Sequence, residues 1–387
     1  MTGPTLHPVE GHEVQRKALA SSLLAGHLPN TLLFHGQKGV GKQRLALWTA
    51  QLLLCDAPQL EGPCNSCDAC LRALRLEHPD IHWYFPIPRP PSKGSPERDQ
   101  EALAEARHEE LARIRSAPLR SRVSKEVQGI HFGTVRNLLR EAAKRPALAS
   151  KRLFLIADAE DLVAQESSPE AANALLKVLE EPPRDTWFIL TASEPGRLLP
   201  TIRSRAAALS IPPLRREAVA TFLQRMELGS QEEIALAASL SEGSIGRALG
   251  FLPDGDDPGP LEEVRKQAFF LLRAALEQGS GARFGQALSF SPSGARGLHE
   301  LLTSLEGWVR DLAALGISDD AYLLNEGGRD WLLRMVRARG ISPAQPARAL
   351  AAVEAARTRA AGNVNPQLLL LRLLSELHRE LLPSEAS

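Results

Sequence analysis

The sequence predicts a three-layer α/β domain with a mostly parallel sheet, followed by a region built from helices alone. Three observations predict it. Between residues 31 and 211, short apolar runs of strand length alternate with stretches of helical periodicity, the pattern of a parallel sheet covered on both faces. A glycine-rich loop, "GQKGVGK", lies between the first such strand and the helix after it. Beyond Pro212 and Pro213 the strand signals stop, and the rest reads as helix.

Thr31 to His35 reads as a short buried strand, and Lys42 to Leu54 has helical spacing with apolar Leu45, Leu47, Trp48, Leu52 and Leu53. A second strand is expected from Ile81 to Phe85. Residues 86–123 open with "PIPRPPSKGSPERD", rich in proline, glycine, serine and charge. They are expected to form an exposed, mobile insertion that is only weakly helical toward its end. "HFGTVRNLLREAAKRP" is a helix that stops before Pro146. "KRLFLIADAEDL" is a strand, Arg152 to Ile156, ending in a polar turn. "PEAANALLKVLEEPP" is a helix with Pro169 near its start and Pro182 and Pro183 closing it. "TWFILTASEP" and Ala208 to Ile211 complete the strands. Residues 1–212 thus form the α/β domain. Residues 213–253 carry three short helical patterns, "PDGDDPGP" is a linker, and 261–387 form an all-α domain.

The chain has 387 residues, enough for two or three domains, and 43% of them are hydrophobic, enough to pack a core in each. The formal net charge is zero, which argues against a free-standing DNA-binding protein with one broad basic face. It leaves room for contact with nucleic acid shared among the members of an assembly. No run approaches the length of a membrane span, and the N-terminus lacks the apolar segment of a signal peptide, so a cytoplasmic protein is expected.

The loop Gly36, Gly39, Val40, Gly41, Lys42 has the physics of a phosphate cradle. Glycine frees successive backbone N–H groups to wrap phosphates, the helix N-terminus adds partial positive charge, and the lysine reaches the terminal phosphates. Gln43 breaks the pattern, because an ATPase of this kind needs a hydroxyl there for Mg²⁺. The second metal element should end another strand as Asp-Glu. In "LFLIADAED", Ala157 stands where the metal-organising Asp belongs and Asp158 where the catalytic Glu belongs, unless a one-residue shift makes Asp158 the metal ligand. Two weakened metal elements predict poor or absent hydrolysis, with binding of ATP or ADP still open through the amides and Lys42.

All four cysteines cluster, as Cys55, Cys64, Cys67 and Cys70. Four thiolates at such short steps complete a tetrahedral shell for Zn²⁺ and leave no open position, so structural zinc is expected. His78 and His82 lie nearby and are not needed as ligands.

Four passages together resemble the bacterial DNA polymerase III clamp-loader subunits of the AAA+ family: "HLPNTLLFHGQKGVGK", the four-cysteine module, "AANALLKVLEEPPRDTWFILTASEPGRLLPTIRSRA", and "GNVNPQLLLLRLL". The resemblance implies an AAA+ α/β domain, a helical lid over 213–253 and a helical collar over 261–387. In the family's motor branch, tau/gamma, the loop, the metal strand and a Gly-Ser-x-Arg lid element are intact. Here the lid reads "GSIGRAL", which displaces Arg247 by one, and the loop and strand depart as described. These departures are similar to the delta-prime, or stator, branch. That branch implies a subunit of the polymerase III holoenzyme without an ATPase of its own. It would act beside tau/gamma and delta to help load the sliding clamp onto primed DNA.

In the family a Ser-Arg-Cys triplet presents its arginine to ATP on a neighbouring subunit. The matching residues are Ser204, Arg205 and Ala206, so Arg205 is the implied arginine finger, and Arg203 lies outside the motif. Asn173, Lys177, Glu180 and Glu181 share faces of the signature helix and are read as interface residues. The competing reading is a divergent tau/gamma-like motor in which Gln43 is tolerated and Asp158 holds Mg²⁺.

Overall fold

Five parallel strands form the central sheet of the computed structural model. The described residues are 6–92, 94–119, 128–162, 170–253, 255, 257–276, 280–289, 294–360, 362 and 364–382. Helix α1 (Glu13–Leu24) precedes β1 (Thr31–His35), which leads through the glycine loop into α2 (Lys42–Leu54). Helix α3 (Asp68–Leu74), β2 (Ile81–Tyr84) and β3 (Ile87–Pro88) follow, then α4 (Pro96–Ser116), β4 (Gln128–Gly129) and α5 (Phe132–Ala142). The domain is completed by β5 (Arg152–Ile156), α6 (Glu170–Glu180), β6 (Thr186–Ala192), α7 (Pro200–Arg203) and β7 (Ala207–Ser210).

The sheet order is β2-β5-β6-β1-β7, with β1 between β6 and β7. Strands β1, β5 and β6 are buried along nearly their whole length, as a sheet covered on both faces requires. Leu32, Phe34, Leu45, Leu52, Leu153 and Leu155 pack into one core, and Leu33, Phe154, Phe188, Leu138 and Leu175 into another. The two-residue strands β3 and β4 pair antiparallel outside the main sheet.

The insertion is more ordered, and less exposed, than its composition suggests. Ser95 caps α4 by accepting the N–H of Arg98 at 3.3 Å, and Pro96 opens the helix. Ala102 and Ile114 are buried, and Arg107 donates to the Trp83 carbonyl at 3.1 Å with its guanidinium over the Tyr84 ring. The outer face is charged and exposed. Residues 120–127, which include the tail of the insertion to 123, and the segment 163–169 with Pro169 lie outside the described residues.

The chain divides into two compact units. One is Met1–Phe222 with Glu242–Gly246, and the other is Leu223–Ser241 with Arg247–Ser387. Helices α8 (Arg216–Arg225), α9 (Gln231–Leu240) and α10 (Ile245–Phe251) cover the three short helical patterns of 213–253. The C-terminal helices are α11 (Pro260–Leu276), α12 (Ser280–Ser289), α13 (Gly294–Leu315), α14 (Arg329–Arg339), α15 (Ala344–Ala360) and α16 (Pro366–Leu381). They share one leucine-rich core around Leu272, Leu301, Leu305, Val309, Leu370 and Leu374. Asn365 accepts the N–H groups of Gln367 and Leu368 at 2.9 and 3.1 Å, and Pro366 follows it, so Asn365 and Pro366 start α16. Among the described residues no helix is long and apolar enough to cross a membrane.

Candidate functional site

The loop between β1 and α2 forms at the end of the sheet where the parallel strands finish. Gly39 and Gly41 have φ of 78° and 102°, a region that suits glycine. A side chain at Gly36 would meet the backbone oxygen of Ile211 at 2.1 Å, which explains the third glycine.

Lys42 is 4% exposed, and its ammonium donates to Gly36 O at 2.8 Å, Gln37 O at 2.9 Å and Ser193 Oγ at 2.9 Å. Three acceptors match its three protons. Burial lowers the affinity of this amine for its proton, and Asp158 and Glu160 oppose that effect.

Gln43 donates through Nε2 to Asp158 Oδ2 at 3.0 Å. Asp158 reaches the loop because its backbone is left-handed, with φ 48°, and its N–H is held by Thr191 Oγ1 at 3.0 Å. Ala157 is wholly buried in the core. Of the two residues left open by the sequence, Asp158 is the one that faces the loop.

Glu160 serves the neighbouring backbone, accepting the N–H groups of Ser193 and Glu194 at 2.7 and 3.3 Å. Burial raises its pKa. The outside of the loop is also engaged. His12 Nε2 lies 2.8 Å from Val40 O, Ser244 Oγ donates to Lys38 O at 2.9 Å, and Gly246 N–H to Gly39 O at 2.9 Å. These contacts from "GSIG" were not foreseen. A hint lay in the displaced glycine, since a side chain at position 246 would strike Gly39 Cα at 2.9 Å.

The cysteine module closes the other end of α2. Cys55 follows the last residue of that helix, and Cys67 caps α3 by accepting the N–H of Cys70 at 3.4 Å. Cys55 and Cys64 likewise accept backbone N–H groups, from Cys64 at 3.2 Å and Cys67 at 3.4 Å. The four sulfur atoms lie within 4.8 Å of one another, so the cluster fits a tetrahedral metal. The amide and hydroxyl of Ser66 pull the Cys64 thiol down to about 6, while burial pushes Cys55 and Cys70 up. His78 and His82 stand outside the cluster, and His82 stacks on Phe154 instead.

Arg205 occupies the opposite end of the sheet. It follows α7, which Ile202 anchors in the core, and precedes β7. Its Nε donates to Glu180 Oε2 at 3.0 Å and its Nη1 to Thr201 O at 2.9 Å. Glu180 ends α6, and the carbonyl of the residue before it, Leu179, accepts Thr31 Oγ1 at the first residue of β1. Asn173, Lys177, Glu180 and Glu181 are all exposed, as the helical spacing predicts.

A glycine loop and lysine between a strand and a helix, on a parallel sheet of this order, define an α/β protein of the AAA+ class. A family model described as DNA polymerase III, delta subunit, matches residues 11–215. Subunit delta' of DNA polymerase III from Escherichia coli K12 is 30% identical over 74% of this chain and 72% of its own length. The delta' subunit of Bacillus subtilis 168 is 32% identical over 52% of this chain and 48% of its own. Subunit tau of Escherichia coli K12 is 28% identical over 90% of this chain and 46% of its own, so the chain spans about half the length of these last two. The chain belongs to the DNA polymerase III delta' family.

Proposed function

We propose that this chain is the stator of a DNA polymerase III clamp loader and works in the cytoplasm. It would sit with tau/gamma and delta, held by its helical domain 261–387, with 213–253 as the lid. It would help load the sliding clamp onto primed DNA. Its chemical contribution is Arg205, given in trans to ATP on a neighbouring subunit.

The observation that carries this reading is the placement of Arg205 relative to the chain's own loop. Strand β1 starts beside Leu179 and Glu180 and ends at the loop, and β7 runs parallel to it. Four to five residues of strand separate the two ends, roughly 13–17 Å. The guanidinium is further tied back to Glu180 and Thr201, away from its own loop. An arginine so placed serves a phosphate that another subunit brings. Delivered to a γ-phosphate, it stabilises charge in the transition state of phosphoryl transfer.

The motor reading is weaker, because Gln43 and Lys42 are both committed to partners within the protein. Cys55, Cys64, Cys67 and Cys70 hold a structural Zn²⁺, which fixes the segment between α2 and β2. The deciding test is ATP turnover by the purified chain and by the reconstituted complex, each with and without Arg205→Ala. The stator reading expects no turnover by the chain alone and a loss in the complex. Lys42-dependent turnover by the chain alone overturns it.

A further inference from the structure

A cation at a phosphate loop of this kind needs a hydroxyl at position 43 and a carboxylate opposite. The residues present do not fit one. Position 43 offers a carboxamide, and its N–H donates directly to the carboxylate, Asp158 Oδ2, at 3.0 Å. The contact is held from both sides. Gln43 stands in the first turn of α2, and Asp158 is fixed in a left-handed conformation by Thr191.

We infer that the Gln43 carboxamide stands in for the divalent cation, so that Mg²⁺ adds nothing to the affinity of this chain for ATP. Gln43 is then the residue that sets which ligand chemistry the loop accepts. An amide N–H carries partial positive charge toward Asp158, as the ion would, and cannot extend coordination to phosphate oxygens. Lys42 completes the closure, since its three protons are spent on Gly36, Gln37 and Ser193. This rests on the reading of residues 36–43 as a phosphate loop that has given up hydrolysis.

The test is ATP binding by the full chain, followed by isothermal calorimetry with excess Mg²⁺ and with EDTA. Mn²⁺ bound in the presence of ATP is followed separately by its electron paramagnetic resonance. The wild-type chain is expected to show the same ATP affinity, or none, in both buffers, and no ATP-dependent Mn²⁺ signal. Gln43→Thr is expected to gain at least about tenfold in ATP affinity from Mg²⁺ and to gain the Mn²⁺ signal. Gln43→Ser repeats the test should the threonine variant fold poorly, with circular dichroism as the check. Mg²⁺-dependent binding by the wild type would overturn the inference, as would the failure of folded Thr and Ser variants to gain it. Mg²⁺-dependent binding without turnover in the wild type would sink this inference alone, whereas turnover by the chain alone would sink the stator reading.

Discussion

The two ends of the central sheet present opposite chemistry. Where the strands finish, the loop is closed on itself. Lys42 is buried among three acceptors, Gln43 holds Asp158, and backbone oxygens at residues 38, 39 and 40 have partners from His12, Ser244 and Gly246. Where the strands begin, Arg205 is held by one carboxylate and one carbonyl, with side-chain exposures of 28% for Arg205 and 56% for Glu180. An ion pair so exposed contributes little and is easily exchanged. The difference is one of commitment: the side chains at the loop end are bonded within the protein, with Lys42 buried, and the ion pair at the other end is partly exposed.

The largest effect that would sharpen this comparison lies at the end of α2 away from the closed loop. Cys70→Ser should abolish stoichiometric zinc, read by atomic absorption, and lower stability by more than about 4 kcal/mol, read by denaturant unfolding. Arg205→Ala should reduce ATP turnover at the neighbouring site by roughly 10³-fold, about 4 kcal/mol, without changing the melting temperature of the chain. Arg205→Lys should restore little of it, because a point charge does not reproduce the planar fork.

Lys42→Ala should do the reverse. Turnover of the complex stays unchanged, while the chain loses about 2 kcal/mol because buried acceptors lose their donor. A large fall in turnover with Lys42→Ala would break the comparison. The smallest effect is expected from Glu180→Gln. Releasing Arg205 from an exposed carboxylate should tighten ATP at the neighbouring site by no more than about fivefold, within 1 kcal/mol, with kcat unchanged.

Much of this was legible in the sequence, for identifiable reasons. The bounds of β1, α2 and β5 match their apolar runs because turn residues or a change of period stop each run sharply. The pair β3–β4 was not legible, since two residues with a proline carry no period. The docking of α4 was hidden because Ala102 and Ile114 are sparse among charges. At the site, Gln43 announced itself as a departure, but its partner did not. The two residues lie 115 positions apart, and Asp158 reaches the loop only through a left-handed backbone that no local pattern marks. Glu180 was readable as an exposed residue of α6, and its hold on Arg205 required the fold.

Helix α2 has a mechanical consequence. Its first turn is fastened by Lys42 and Gln43, and its last residue adjoins the cysteine cluster, with Gln51 bonded across to Asn65 at 2.9 Å. A rod clamped at both ends has little compliance. Such a helix acts as a fixed bearing, and any displacement of the domain is taken up by segments that lack a second clamp.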